Sequence, residues 1–280
     1  MSRNYSWTVK GGRALGPAPF FIAGIVNVTP DSFYDGGKNY DPQQAVEHGR
    51  LLAAQGADIL DVGGESTRPF ADPVSLEDEL ARVVPVISEL SRDHVVSIDT
   101  VKSEVARVSV EAGAAIVNDV SAFTQDPVLL DVVADLKPGY VLMHSQGTPE
   151  EMQLSPSYDN VIEDILTFFE KSLERLVKSG LPENRIVLDP GIGFGKTLEH
   201  NLVILRRIDR FMELGFPIYM GLSNKSLWGK LLGLEADERQ NATQAATAVL
   251  AARGVPIHRV HEVGLTSQTL KIVKEIGGDY

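Results

Sequence analysis

The sequence predicts a single-domain α/β protein, a closed (β/α)8 TIM barrel with a short N-terminal extension. Three observations predict it. Short apolar runs alternate with helical patterns along the whole chain. Eight such pairs fill its 280 residues, a length that α/β barrels use as one domain. The runs are apolar at almost every position, as strands covered on both faces of a parallel sheet are. An open, doubly wound sheet is the alternative that the same alternation allows.

The elements follow in order. Residues 1–19 are polar, broken by Gly11 and Gly12, and are expected to cap the barrel bottom, leaving 20–280 as the barrel itself. Strands are expected at Phe20–Asn27, Ala57–Val62, His94–Asp99, Ala115–Asp119, Tyr140–His144, Arg185–Asp189, Pro217–Gly221 and Pro256–His261. These runs are short, rich in Val and Ile, and bounded by turn residues. A helix is expected after each. The first opens at Asp41-Pro42 with Ala45, Val46, Leu51 and Leu52 apolar. The others span Glu77–Leu90, Lys102–Ala112, Pro127–Leu136, Tyr158–Ser179, Leu198–Leu214, Gln240–Ala252 and Leu265–Ile276. The clearest is Tyr158–Ser179. There Val161, Ile165, Phe168, Phe169, Leu173 and Leu176 recur at helical steps until Gly180 and Pro182 stop it.

Composition narrows the function. Lys+Arg 26 against Asp+Glu 38 gives a net charge of −12, a field that repels phosphate backbones, so no nucleic-acid partner is expected. The chain has 0 Cys, which excludes disulfides, thiolate nucleophiles and Cys-ligated zinc and suits the cytoplasm. Met1–Leu15 lacks a signal core, and no apolar run approaches the roughly 20 residues of a membrane helix, so no membrane partner is expected.

The strand ends carry the polar residues. In chain order they are Asn27, Asp61 with Glu65, Asp99, Asn118-Asp119, His144, Asp189, Ser223-Asn224-Lys225-Ser226 and Arg259-Val260-His261. In a barrel all these C-terminal ends share one rim, where barrel enzymes do their chemistry. Ile257, Arg259 and His261 alternate along the last run. They share one face, which, if inward, aims a guanidinium and an imidazole at the mouth.

Asp189-Pro190-Gly191-Ile192-Gly193-Phe194-Gly195-Lys196-Thr197 suggests a phosphate loop but fails both spacings. Pro190 stands where a Walker loop needs its first Gly, and Lys196 where the dinucleotide fingerprint needs its third. Its glycines are expected to turn the backbone tightly above Asp189 and to let it approach a flat ligand. Gly36-Gly37 and Gly63-Gly64 read as mobile rim loops or simply as turns. The six His are scattered with no zinc spacing, whereas Asn27, Asp31 and Asp35 offer oxygen ligands suited to Mg²⁺ held with a substrate's phosphates, or are solvated loop charges.

Several of these segments together resemble one family. Asn27-Val28-Thr29-Pro30-Asp31-Ser32-Phe33 with Asp35-Gly36-Gly37, then Gly63-Gly64-Glu65-Ser66-Thr67-Arg68-Pro69, are similar to the first two signatures of the dihydropteroate synthases. Ser97-Ile98-Asp99-Thr100, Asn118-Asp119, Asp189 to Lys196, Lys225-Ser226 and Arg259-Val260-His261 follow in the family's order, covering the chain from about residue 20 to its end. The resemblance implies a (β/α)8 transferase of folate synthesis, a sulfonamide target. Such an enzyme joins 6-hydroxymethyl-7,8-dihydropterin diphosphate to p-aminobenzoate and releases diphosphate.

Carried over by motif, Asp189 would accept the pterin's amino and ring N–H groups. Asn118 and Asp99 would satisfy its other edges and Lys225 its carbonyl. Arg259 would stack on one face and Met143 lie near the other. Thr67, Arg68 and His261 would bind diphosphate, and Asn27 would hold Mg²⁺. Ser226 would meet the p-aminobenzoate carboxylate, and Phe33, Pro69 and Phe194 would wall that pocket. The resemblance also implies a homodimer formed through late barrel helices, where Ala245, Ala246, Ala248 and Ala251 permit close approach. Three positions depart from the family's usual pattern: Asn224 for Arg, Ser145 for Met, and Phe70 for Gly. Two rival readings are a pterin-binding methyltransferase, which needs no diphosphate site, and a relative that binds pterin without turnover.

Overall fold

The computed structural model describes residues 4–29, 42–66, 73–147 and 156–277. Two short strands, β1 (Tyr5–Thr8) and β2 (Ala14–Ala18), pair antiparallel ahead of the barrel. Eight parallel strands follow: β3 (Phe21–Asn27), β4 (Ile59–Gly63), β5 (Val96–Asp99), β6 (Ile116–Asp119), β7 (Gly139–Met143), β8 (Ile186–Asp189), β9 (Tyr219–Gly221) and β10 (Ile257–Val260). Their order runs β8-β7-β6-β5-β4-β3-β10-β9. A parallel bridge from Leu188 to Ile218 joins the two ends, so the sheet closes and the open-sheet alternative falls.

Period-two alternation sorts the side chains. Outward residues such as Ile22, Leu60, Val62, Ile98, Val117, Leu142 and Leu188 join the helices in one large core. Inward residues Phe21, Ala23, Ile59, Val95, Ile116, Val141, Val187, Tyr219 and Ile257 form a second cluster, to which the hairpin adds Trp7, Val9 and Leu15. The Trp7 indole also donates to the Arg185 carbonyl at 2.8 Å. Two residues further along β4, β5, β6, β8 and β10 the inward position turns polar, at Asp61, Ser97, Asn118, Asp189 and Arg259, and that switch creates the site.

The helices are α1 (Pro42–Ala54), α2 (Leu76–Leu90), α3 (Ser103–Glu111), α4 (Leu129–Leu136), α5 (Val161–Ser179), α6 (Leu198–Arg206), α7 (Ile208–Met212), α8 (Ser226–Leu232), α9 (Gln240–Ala252) and α10 (Val263–Ile276). Ser75 caps α2, and Asn160 caps α5 by accepting the Ile162 and Glu163 N–H groups. Two expectations need correction. The segment expected as one helix over Leu198–Leu214 is two, broken at Arg207, whose φ of −114° and ψ of 30° are not helical. Helix α8, with Gly229 inside it and Gly233 ending it, is too short to show a period, and it lies between the seventh strand and Gln240 where no helix is expected. No described helix is long and apolar enough to cross a membrane.

Candidate active site

The inward positions at the strand ends converge at the barrel mouth. Asp61, Asp99, Asn118, Met143 and Asp189 are all buried there. Arg259 crosses between two of them. Its Nε lies 2.6 Å from Asp61 Oδ2 and its Nη2 lies 2.6 Å from Asp99 Oδ2. Asp61 Oδ2 also accepts from Asn118 Nδ2 at 3.0 Å. The guanidinium is thereby held in one plane by two carboxylates, a geometry that a lysine could not reproduce. Burial pulls Arg259 toward the neutral form, but Asp61 and Asp99 more than offset this and raise its pKa.

Two carboxylates share this one cation. Burial, against the Arg259 charge and with Asp61, Glu79 and Asp119 adding repulsion, pushes Asp99 up to about 7. Asp61 Oδ1, Ser97 Oγ and Asp99 Oδ1 are buried and find no hydrogen-bond partner among the described residues. Orphaned polar atoms at the floor of a mouth are what a polar, planar ligand would satisfy. Asp119, the neighbour of Asn118, takes no part. It points outward and accepts from Ser121, the Phe123 N–H and the Tyr140 hydroxyl, holding the turn after β6.

Asp189 ends β8, and its Oδ1 accepts the Gly191 N–H at 2.7 Å. Burial raises its pKa, while Lys225 and the Gly191 N–H work the other way. Lys225 stands at the start of α8. Its ammonium donates to the Ile192 carbonyl and sits 4.5 Å from the centre of the Phe194 ring. Burial lowers Lys225 to about 8, against the pull of Asp189. Ser226, the next residue, is exposed at the first turn of α8. His261, just beyond β10, has Nδ1 2.9 Å from Ser223 Oγ. Asn27 ends β3 partly buried, paired in register with Gly63.

The glycines after Asp189 turn tightly as expected, but two of them have a further reason. A Cβ on Gly191 would stand 1.9 Å from the His144 carbonyl oxygen, and one on Gly195 would stand 2.4 Å from that of Gln146. They let this turn lie against the chain leaving β7. Gly63 belongs to β4 itself, and a Cβ on Gly64 would meet Val83 at 2.7 Å, so the pair reads as a packed turn rather than a mobile loop. Asn224 has φ 54°, a left-handed conformation that Asn tolerates better than Arg. That gives the departure at this position a backbone reason.

Thr67, Arg68, Pro69, Phe33 and the positions Asp31, Asp35, Gly36, Gly37 and Phe70 lie outside the described residues. Three features escaped the sequence reading. Asp61 was noted only as a strand end, although its place two residues after inward Ile59 marks it as inward. The buried Lys196, against His144, has no periodic signal. Nor does the group in which Lys102 Nζ lies 2.5 Å from both Glu65 and the fully buried Glu79, whose other oxygen accepts from Thr100.

Comparison with known proteins adds relatives to this geometry. Residues 23–261 match the family described as pterin binding enzyme. The chain is 41% identical over 255 residues to the dihydropteroate synthase of Escherichia coli, covering 90% of each. It is similar to a Yersinia pestis dihydropteroate synthase structure with a sulfonamide drug complex, at TM-score 0.91 and 40% identity over 97% of this chain and 98% of that one. It is also similar to the Xanthomonas albilineans dihydropteroate synthase in complex with 7,8-dihydropteroate, at TM-score 0.88 and 38% identity over 99% of this chain and 100% of that one.

Proposed function

The chain belongs to the dihydropteroate synthase family and is a transferase of folate biosynthesis, and from that premise we propose how its barrel mouth carries the reaction. The substrates are 6-hydroxymethyl-7,8-dihydropterin diphosphate and p-aminobenzoate, and the products are 7,8-dihydropteroate and diphosphate. The observation that carries the assignment of roles is the convergence of acceptors, a donor cation and a planar cation on one buried floor: Asp61, Asp99, Asn118, Asp189, Lys225 and Arg259.

A pterin presents adjacent N–H donors and one carbonyl. Asp189 accepts the donors in charge-assisted bonds. Asn118 and Asp99 serve the remaining edges, and Lys225 donates to the carbonyl. Arg259 stacks on one face, and Met143 fills the other as a soft contact. Thr67, Arg68 and His261 receive diphosphate. Phe33, Pro69 and Phe194 wall the p-aminobenzoate pocket. Ser226, on the first turn of a helix, faces the carboxylate.

Displacement occurs at the pterin methylene. The C–O bond to diphosphate breaks with its electron pair, the aromatic amine forms the C–N bond with its lone pair, and the proton it then sheds passes to the departing diphosphate or to water. This needs no activated protein nucleophile, so positioning and preorganised charge do most of the work. Among the described residues no three His, Cys, Asp or Glu side chains converge as a metal-ligand set. A hard cation that takes most of its oxygens from diphosphate and water fits that donor set, with Asn27 supplying one neutral oxygen. When bound, Mg²⁺ supplies charge neutralisation on the departing diphosphate.

The assembly we propose is a homodimer. Leu202, Trp228, Leu232, Ala242, Ala246 and Val249 line an open apolar groove of about 360 Å³ over α6, α8 and α9, and Leu232 and Val249 are exposed on it. A second copy of the chain would cover it, as sedimentation of wild type against Val249→Glu would test. We place the protein in the cytoplasm, in keeping with its 0 Cys. The test of function is mixing both substrates with Mg²⁺. Diphosphate release in step with dihydropteroate supports the reading, and pterin binding without release leaves only a binding protein.

A further inference from the structure

We propose that Lys196 is a positioning residue that sets Phe194 for the second substrate. The inference rests on the reading that Phe194 walls the p-aminobenzoate pocket. Lys196 is fully buried at the end of the glycine turn. Its ammonium has three acceptors around it: the Phe194 carbonyl at 2.9 Å, His144 Nδ1 at 3.0 Å and the His144 carbonyl at 3.2 Å. Burial lowers Lys196 to about 7, against the pull of Asp189; in the ammonium form its three donors match these acceptors one to one.

The rest of the turn is tied as well. Asn201 Oδ1 accepts the Gly193 N–H at 2.8 Å, the Phe194 N–H donates to the Gly191 carbonyl at 3.1 Å, and Tyr158 donates to the Gly195 carbonyl at 2.8 Å. Of these ties, the one made by Lys196 fixes the Phe194 carbonyl, and with it the direction in which the partly buried ring leaves the backbone. The match has a chemical signature. Facing the Lys196 ammonium, His144 Nδ1 accepts, which puts its proton on Nε2. Burial and the Lys196 charge lower His144 to about 2, which keeps the ring neutral.

The experiment combines kinetics with nitrogen NMR of the histidines. Lys196→Met should raise the p-aminobenzoate KM about tenfold, the scale on which small misplacements act, and leave pterin affinity within about threefold. Lys196→Gln, which keeps two donors, should recover part of the loss. Equal losses for both substrates, or no recovery, would reduce Lys196 to a structural role. Wild-type His144 should show the Nε2–H tautomer at pH 6; an Nδ1–H tautomer overturns the proposal even if the Met variant does not fold. Phe194→Ala separates the underlying reading. If it leaves the p-aminobenzoate KM unchanged, the pocket assignment fails. If it raises that KM while Lys196→Met does not, the positioning role fails.

Discussion

Asp61 is the residue on which the barrel mouth can be tested most quantitatively. Its Oδ2 accepts from Arg259 Nε at 2.6 Å and from Asn118 Nδ2 at 3.0 Å, and the side chain is 0% exposed. Asp61→Ala removes one charge-assisted bond, worth about 1.5–3 kcal/mol, and strands the Asn118 donor at about 1–3 kcal/mol. Arg259 keeps Asp99, its side chain is 21% exposed, and loss of the Asp61–Asp99 repulsion offsets part of the cost. The expected loss of stability is therefore about 3 kcal/mol. Asp61→Asn has the same shape and keeps one oxygen to accept from Asn118. It should be less damaging than Ala by roughly 1–2 kcal/mol.

Both variants also remove a negative charge that holds Asp99 up. Burial, the larger cause, remains, so Asp99 should fall only part of the way from about 7 toward the ordinary carboxylate range. With Asp99 accepting from the pterin in its ionised form, as proposed, binding should weaken as pH drops through that value. In either variant this acid limb should move to lower pH. Urea unfolding of the two variants, with calorimetry of pterin binding from pH 5 to 9, measures both effects. Equal destabilisation by Ala and Asn, together with an unmoved acid limb, would refute the role given to Asp61.

Asp189→Asn places a donor against the ligand's donors, and pterin affinity in calorimetry should fall at least about tenfold. Lys225 is lowered to about 8. It is protonated below that pH and loses its charge above it, so pterin affinity should decline as pH rises past about 8, and Lys225→Arg should abolish that alkaline decline. Lys102→Met leaves the buried Glu79 carboxylate without its cation. Because Lys102 is 27% exposed, a loss of about 3 kcal/mol in urea unfolding is expected, at the low end for a broken buried pair, with the added Glu79→Leu change restoring part of it. Turnover should vanish with a chelator while circular dichroism stays unchanged; undiminished turnover would remove Asn27 from any metal role.

The fold was legible because each strand is a short apolar run with polar residues at or just beyond its end, and that pattern survives without knowing any contact. Asp99, Asn118, Asp189 and Arg259 were legible for the same reason: period two sets them inward beyond Val95, Ile116, Val187 and Ile257. The ion pairs of Arg259 were not, because which strand ends face each other depends on closure of the sheet, with β10 returning beside β3. Lys196 was misleading in the sequence, where it only spoiled a phosphate-loop spacing. Its burial comes from the close approach of the Gly191 turn to the His144 backbone, a contact between segments 47 residues apart in number but adjacent through the β7–β8 pairing. The glycines make the tight turn that the sequence predicts, and Gly191 and Gly195 in addition make room for the chain itself.

The most direct test of the account is a crystal structure of this protein with pterin diphosphate bound. The pterin should lie flat in the mouth with its amino and ring N–H groups on Asp189, its carbonyl on Lys225, and the Arg259 guanidinium over one face with Asp61 and Asp99 still paired to it. A pterin bound away from Asp189, or an Arg259 swung clear of the ring, would contradict the account.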